Sequence, residues 1–513
     1  MPFCYTDRLS AYPGETVTLH ASASNNPCRL EIARVGAERT VVLRKEGLAV
    51  GDHPTPDHAD RDGCNWPAAF AFVVGADWSS GYYDIVLTDA AGEAANHFVC
   101  VKPGRGRPRA KVAFVLATNT YHAYNYFGGA NAYCDVAGLM SRTKKLTEAM
   151  EGGIGVLSTL RPFAPAIVAA PAGVPRLVTT RTRGFREKPF VERMPGASPY
   201  DRSAGFLNKW EHVFVRWAEA EGLALDYFTD FDLDAEGGVL DAYAALIVVG
   251  HSEYWSARQR DCVERFVDRG GHFAIFSGNT AFWKVRFDDG GKTFICHKWR
   301  GFENDPVARN DAQTATHLWS HRTFARPEAA LTGLTFLFGG YHRLGGCVAR
   351  GQAGYTVYNE RHWALEGSDL FYGDVIGADI PFLGYENDGC RFRFDRDGRP
   401  QPLPELGVPE TLEIIALAPT AFGEDLASGY PMLIPPENLA IIAREVFGEE
   451  GAAAEDRILR GHAVMASFRR GKGEVFNGGT TEWAHGLAAD DPFITQITRN
   501  VLRRFGAYEA VGS

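Results

Sequence analysis

The sequence predicts an α/β protein: an N-terminal β-sandwich followed by a flavodoxin-like or amidotransferase-like α/β domain with additional β-hairpins. Three observations predict the α/β part. Residues 244–249 are a short apolar run rich in β-branched side chains. Residues 256–267 follow with a capping box at Ser256 and Gln259 and an apolar stripe at Cys262, Val263, Phe266 and Val267. Gly270-Gly271 ends that helix, and residues 273–276 supply a second apolar run. Strand, helix and strand in this order form a β-α-β unit with a right-handed connection. The loops at 251–255 and 277–280 then leave the same sheet edge, where open α/β sheets hold their ligand crevice.

At 513 residues the chain exceeds what one core supports, and two domains are expected, at 1–103 and 109–513. Residues 15–21, 30–35, 70–74 and 82–87 read as short strands separated by turn residues such as Pro13-Gly14 and Ala91-Gly92, which suggests the sandwich. The polar stretch 52–67, with His53 and His58, is long enough to reach toward a site. Residues 103–108 are a linker by composition, and 111–116 read as a buried strand. Directly after it, residues 117–129 are dense in Asn, Tyr and His and form a candidate site loop. Residues 130–205 read as an irregular excursion over the sheet. An amphipathic helix is expected at 210–221, a strand at 225–228 and a hairpin joining 285–287 to 292–297. Strand, strand and helix at 461–468, 473–477 and 493–505 close the domain.

Composition excludes several functions. A net charge of −10 and a pI near 5.9, with no basic stripe, argue against nucleic-acid binding. No apolar run is long enough to cross a bilayer, and the opening residues lack a signal-peptide pattern, so the expected location is cytoplasmic. The nine cysteines are scattered without a C-x-x-C pair, which fits reduced buried thiols better than disulfides or a structural zinc.

Gly250-His251-Ser252-Glu253-Tyr254 stands where a nucleophile elbow would, but Tyr254 occupies the position that needs glycine. No cysteine follows a strand at a turn either. Metal or acid/base chemistry is what remains. His251, Glu253 and Tyr254 cluster at one strand end, Glu211 and His212 lie on the preceding helix, and Glu482 and His485 follow the last strand. His317 and His321 have the i, i+4 spacing of a metal pair on a helix, but nothing helical surrounds them.

Four stretches, GHSEYWS from Gly250, FSGN from Phe276, RPEAALTG from Arg326 and FNGGTTEWA from Phe476, resemble the large (β) subunit of N,N-dimethylformamidase. The opening YTDRLS from Tyr5, followed by Pro13-Gly14-Glu15, extends the likeness over nearly the whole chain. The resemblance implies an amidase whose ferric iron is held by two tyrosines and one glutamate. Phenolate and carboxylate are hard oxygen donors, and a cation lowers a phenol pKa of ~10 enough to ionise it. Tyr254 matches one ligand tyrosine. The second falls, by the resemblance, on the helix before residues 226–228, where Glu211-His212-Val213-Phe214 offers His212 as a substitute. Residues 314–319 contain no glutamate for the third ligand.

The expected function is therefore hydrolysis of the C–N bond of a small non-peptide amide. Tyr254 and His212 are the expected metal ligands, with Glu482 as general base and His251 and Asn279 orienting water and substrate. Tyr121, Asn125, Trp255 and His485 are the expected substrate contacts. A small partner subunit and self-association into a homo-oligomer complete the expectation. The rival is a non-catalytic ligand-binding or accessory subunit that kept the fold and lost the metal.

Overall fold

The computed structural model describes residues 1–104, 110–133, 153–165, 167–169, 204–342, 354–378, 380, 382–384, 386–422 and 436–508. It is a mixed α/β protein. Most of the linker at 103–108 and much of the excursion at 130–205 lie outside the described residues.

The first hundred residues form two sheets. Phe3–Thr6, Thr16–Ser22 and Ala68–Val73 make a three-stranded antiparallel sheet. Ser10–Ala11, Ala94–Val101, Gly81–Thr88, Cys28–Val35 and Arg39–Leu48 make a five-stranded one. Alternating side chains such as Leu19, Ile32, Ile85 and Val99 enter one shared apolar cluster, as period-2 patterning requires. This part is fastened to the rest by polar contacts as well as packing. Lys102 Nζ reaches Asp232 at 2.9 Å and Glu236 at 2.6 Å, and Arg34 pairs with Glu219 at 2.7 Å.

The remainder is organised on an eleven-stranded sheet. Nine of its strands bear on the site: β1 (Val112–Leu116), β2 (Leu225–Thr229), β3 (Ala245–Gly250), β4 (His272–Ser277), β5 (Thr335–Tyr341), β6 (Glu386–Gly389), β7 (Glu413–Ala421), β8 (Arg460–Arg470) and β9 (Gly473–Asn477). Their order is β2-β1-β3-β4-β9-β8-β7-β5-β6. The first five are parallel and the last four continue antiparallel. Strands β1 to β4 are buried along almost their whole length, which explains continuous apolar runs in place of alternation. Because β2 lies on one side of β1 and β3 on the other, the sheet has its switch point between β1 and β3.

The predicted β-α-β unit is present, with α3 (Ala257–Asp268) between β3 and β4. Its capping box forms: Ser256 Oγ accepts from Gln259 N at 3.1 Å, and Gln259 Oε1 accepts from Ser256 N at 3.3 Å. Ser256 Oγ also donates to the buried carboxylate of Asp234 at 2.6 Å. Ser256→Ala would remove the cap and leave that carboxylate short of a donor. The expected loss is roughly 2 kcal/mol, read as a lower urea midpoint with an unchanged slope.

The run after β1 is not a loop. Residues Thr118–Tyr124 form a helix, α1, almost wholly buried. Ala117 at its start cannot cap it, so distant carboxylates do: Glu211 accepts from Ala117 N and Asp230 from Asn119 N, both at 2.9 Å. Such capping depends on chain pairing and is invisible to local pattern. Glu211 itself opens helix α2 (Glu211–Ala220). The hairpin, the closing strands and the closing helix (Pro492–Arg504) follow the sequence pattern.

Candidate active site

The ends of β1 and β3 are stitched together across the switch point. Thr120 Oγ1 donates to His251 O at 2.8 Å and accepts from Glu253 N at 3.3 Å, while Asn119 Nδ2 donates to Tyr254 O at 2.9 Å. These bonds set the loop 251–254 so that His251, Glu253 and Tyr254 join one polar cluster.

His251 lies between two carboxylates. Its Nε2 is 2.6 Å from Glu386 Oε2 and 3.2 Å from Glu253 Oε2, and all three side chains are buried. Burial opposes a charged imidazole, but the Glu386 and Glu253 carboxylates outweigh it and raise its pKa to about 10. Burial pushes Glu253 the other way, yet His251 and Lys298 hold its pKa below the ordinary value.

Tyrosines close the group. Tyr133 Oη is 3.1 Å from both Glu253 oxygens, and the hydroxyls of Tyr133 and Tyr254 are in hydrogen-bond contact. The Tyr124 ring packs 4.9 Å from Tyr133 and 5.8 Å from His251. Lys298 Nζ sits over the Tyr133 ring, 2.7 Å from its centroid. Burial, then the Glu253 charge, raises the pKa of both Tyr133 and Tyr254 well above 10. Without a cation, both phenols keep their protons.

The next strand ends join from the other side. Asp388 accepts from the backbone N–H of Asn279 at 2.8 Å and of Thr280 at 3.2 Å. This holds Asn279 at φ 54° with its Oδ1 buried and without a hydrogen-bond partner among the described residues. Gly278 permits the approach: a Cβ there would stand 2.4 Å from Glu386 O and 2.7 Å from Thr481 N. Thr481 N donates to Glu386 O at 3.1 Å, which sets Glu482 beside β6. Glu482 is fully buried and lies 3.6 Å from His485 on helix α4 (Trp483–Ala488).

The sequence-derived residues divide accordingly. His251 and Tyr254 are in the cluster, Asn279 is held by the neighbouring strand end, and Glu482 with His485 forms a pair one strand along. His212 is not with Tyr254: its Nε2 meets Gly36 O at 3.1 Å and its ring packs on Phe206. Neighbouring helix residues point about 100° apart, and on α2 it is Glu211 that turns into the core. Tyr121 hydrogen-bonds Glu211, and Asn125 Nδ2 donates to Pro162 O at 3.0 Å. Trp255 Nε1 turns back to Ser252, at 2.9 Å from its Oγ, and the ring packs in the core. These three hold the scaffold by the contacts they make. Within the stretch 52–67, Thr55 to His58 and Asp60 face Phe127 to Ala130 across an open cleft whose lining includes none of the residues clustered at His251.

Tyr133, Glu386 and Lys298 were not singled out in the sequence. Tyr133 falls in the excursion read as irregular, and Glu386 opens the four-residue strand β6, too short to carry a pattern of its own. The nearest signal was Glu253, two residues from His251 at the same strand end.

A buried group of phenols, carboxylates and a histidine at the switch point of a parallel sheet defines an α/β protein with an oxygen-rich polar site. The chain belongs to the N,N-dimethylformamidase beta subunit-like family: the model described as "N,N-dimethylformamidase beta subunit-like, C-terminal" matches residues 29–497. No protein of curated function matches it.

Proposed function

We propose that the protein hydrolyses the C–N bond of a small non-peptide amide, and that Glu253, Tyr133 and Tyr254 form the oxygen-donor set for a ferric ion. The observation that carries this reading is a chain of three oxygen groups: the Tyr254 hydroxyl meets the Tyr133 hydroxyl, and Tyr133 Oη stands 3.1 Å from both Glu253 oxygens. The donor set fits the ion: all three are hard oxygen ligands, and Lys298 beside the Tyr133 ring favours the phenolate. The second tyrosine of the set is Tyr133, in place of the His212 expected from sequence. When bound, the ion supplies a Lewis acid that polarises an amide carbonyl or acidifies water.

The chain's own residues do the rest. Glu386 and Glu253 keep a proton on His251 Nε2, where it can serve the departing amine. Asn279, fixed by Asp388, offers its Oδ1 as an acceptor that orients water. Glu482, shielded from solvent beside His485, takes a proton from that water as general base. The finer architecture belongs to the same proposal: a β-sandwich at 1–103, then a domain at 109–513 whose parallel strands take the flavodoxin-like order β2-β1-β3-β4-β9. A small partner subunit is also proposed, from the family's description as a beta subunit.

Tyr254→Phe tests the donor set, because it deletes one oxygen and keeps the ring. Bound iron and turnover of N,N-dimethylformamide should fall together, while stability changes by only about 1 kcal/mol. Full iron occupancy in the Phe variant would remove Tyr254 from the set. A wild type without metal or turnover would favour the accessory-subunit reading.

A further inference from the structure

A second group of side chains, away from the switch point, is left unused by this chemistry. His317 and His321 are brought together by a turn, with His321 N donating to Leu318 O at 3.1 Å. Their ring centroids are 4.7 Å apart. Glu445, from the helix Pro436–Phe447, places Oε2 3.0 Å from His317 Nε2. One ligand atom from each residue lies within 4.8 Å of the other two. Apart from this 3.0 Å contact, neither atom has a hydrogen-bond partner among the described residues. Two donors bound at about 2.1 Å to neighbouring positions of an octahedral ion stand about 3.0 Å apart. The spacing is that of two ligands of one ion.

We propose that His317, His321 and Glu445 form a second metal site, which takes a divalent first-row transition ion through His317 Nε2, His321 Nε2 and Glu445 Oε2. Two imidazoles and one carboxylate suit iron(II), cobalt(II), nickel(II) or zinc(II) better than magnesium or calcium. Arg444 lies 3.5 Å from the other Glu445 oxygen, which leaves Oε2 for the site. The Nδ1 atoms accept from Leu318 N at 2.8 Å and Thr323 N at 3.1 Å. Coordination through Nε2 moves each ring proton to Nδ1, so those two contacts must open on loading. His317 is fully buried and the Glu445 side chain 18% exposed, which puts the entrance on the glutamate side.

The test is titration of the chelator-stripped full chain with Co2+, read by dialysis stoichiometry and visible absorbance. One equivalent should survive Glu253→Gln, which separates it from the amide-site metal. His321→Gln and Glu445→Gln should each weaken that equivalent at least about tenfold, with an unchanged far-ultraviolet spectrum. Glu445→Gln, at a partly exposed position, keeps the test open if the histidine variant does not fold. The site is overturned if no equivalent of Co2+ responds to whichever of these variants folds.

Discussion

Glu253→Gln should abolish both ferric-iron retention at the amide site and amide hydrolysis while leaving the protein folded. Glu253 is the carboxylate on which Tyr133 and His251 converge, and the amide removes its charge with little change in shape. Loss of a Lewis acid worth several kcal/mol in the transition state corresponds to a rate decrease of roughly a thousandfold or more. Iron content and release of dimethylamine from N,N-dimethylformamide are the two readouts. Glu482→Gln is the informative companion, since a general base can be lost with the metal still bound. A Glu253→Gln protein with full iron and full turnover would refute the assigned donor set.

The wild type should lose stability as the solution becomes alkaline, and Glu386→Gln should lose less. His251 is raised to about 10 against an ordinary 6.5. A histidine that holds its proton more tightly when folded contributes stability that is complete below pH 6.5 and lost as pH rises through about 10. The shift corresponds to roughly 3–5 kcal/mol over that window. Removing the nearer carboxylate, at 2.6 Å, lets His251 titrate lower, so the decline becomes smaller and is complete at a lower pH. Urea midpoints at pH 6, 8 and 10 measure both proteins. Superimposable profiles would show that Glu386 does not hold the proton on His251.

The β3-α3-β4 unit and the position of His251, Glu253 and Tyr254 at a strand end are legible in the amino-acid sequence. Its signals are local: apolar runs, a helical stripe, and the Ser256–Gln259 box, all formed by residues a few positions apart. The family was legible too, because short stretches at strand ends combine in a way that single motifs do not. Tertiary structure alone decided which residues complete the site. Tyr133 and Glu386 reach His251 and Glu253 from segments far away in the chain, and nothing in their own neighbourhoods marks them. The helix after β1 depends on carboxylates from α2 and Asp230, so local propensity read it as a loop. The separation of His212 from Tyr254 has the same origin. A one-residue step around α2 sends His212 toward Gly36 and Glu211 inward, and helix rotation in a packed fold is fixed by burial of the whole face.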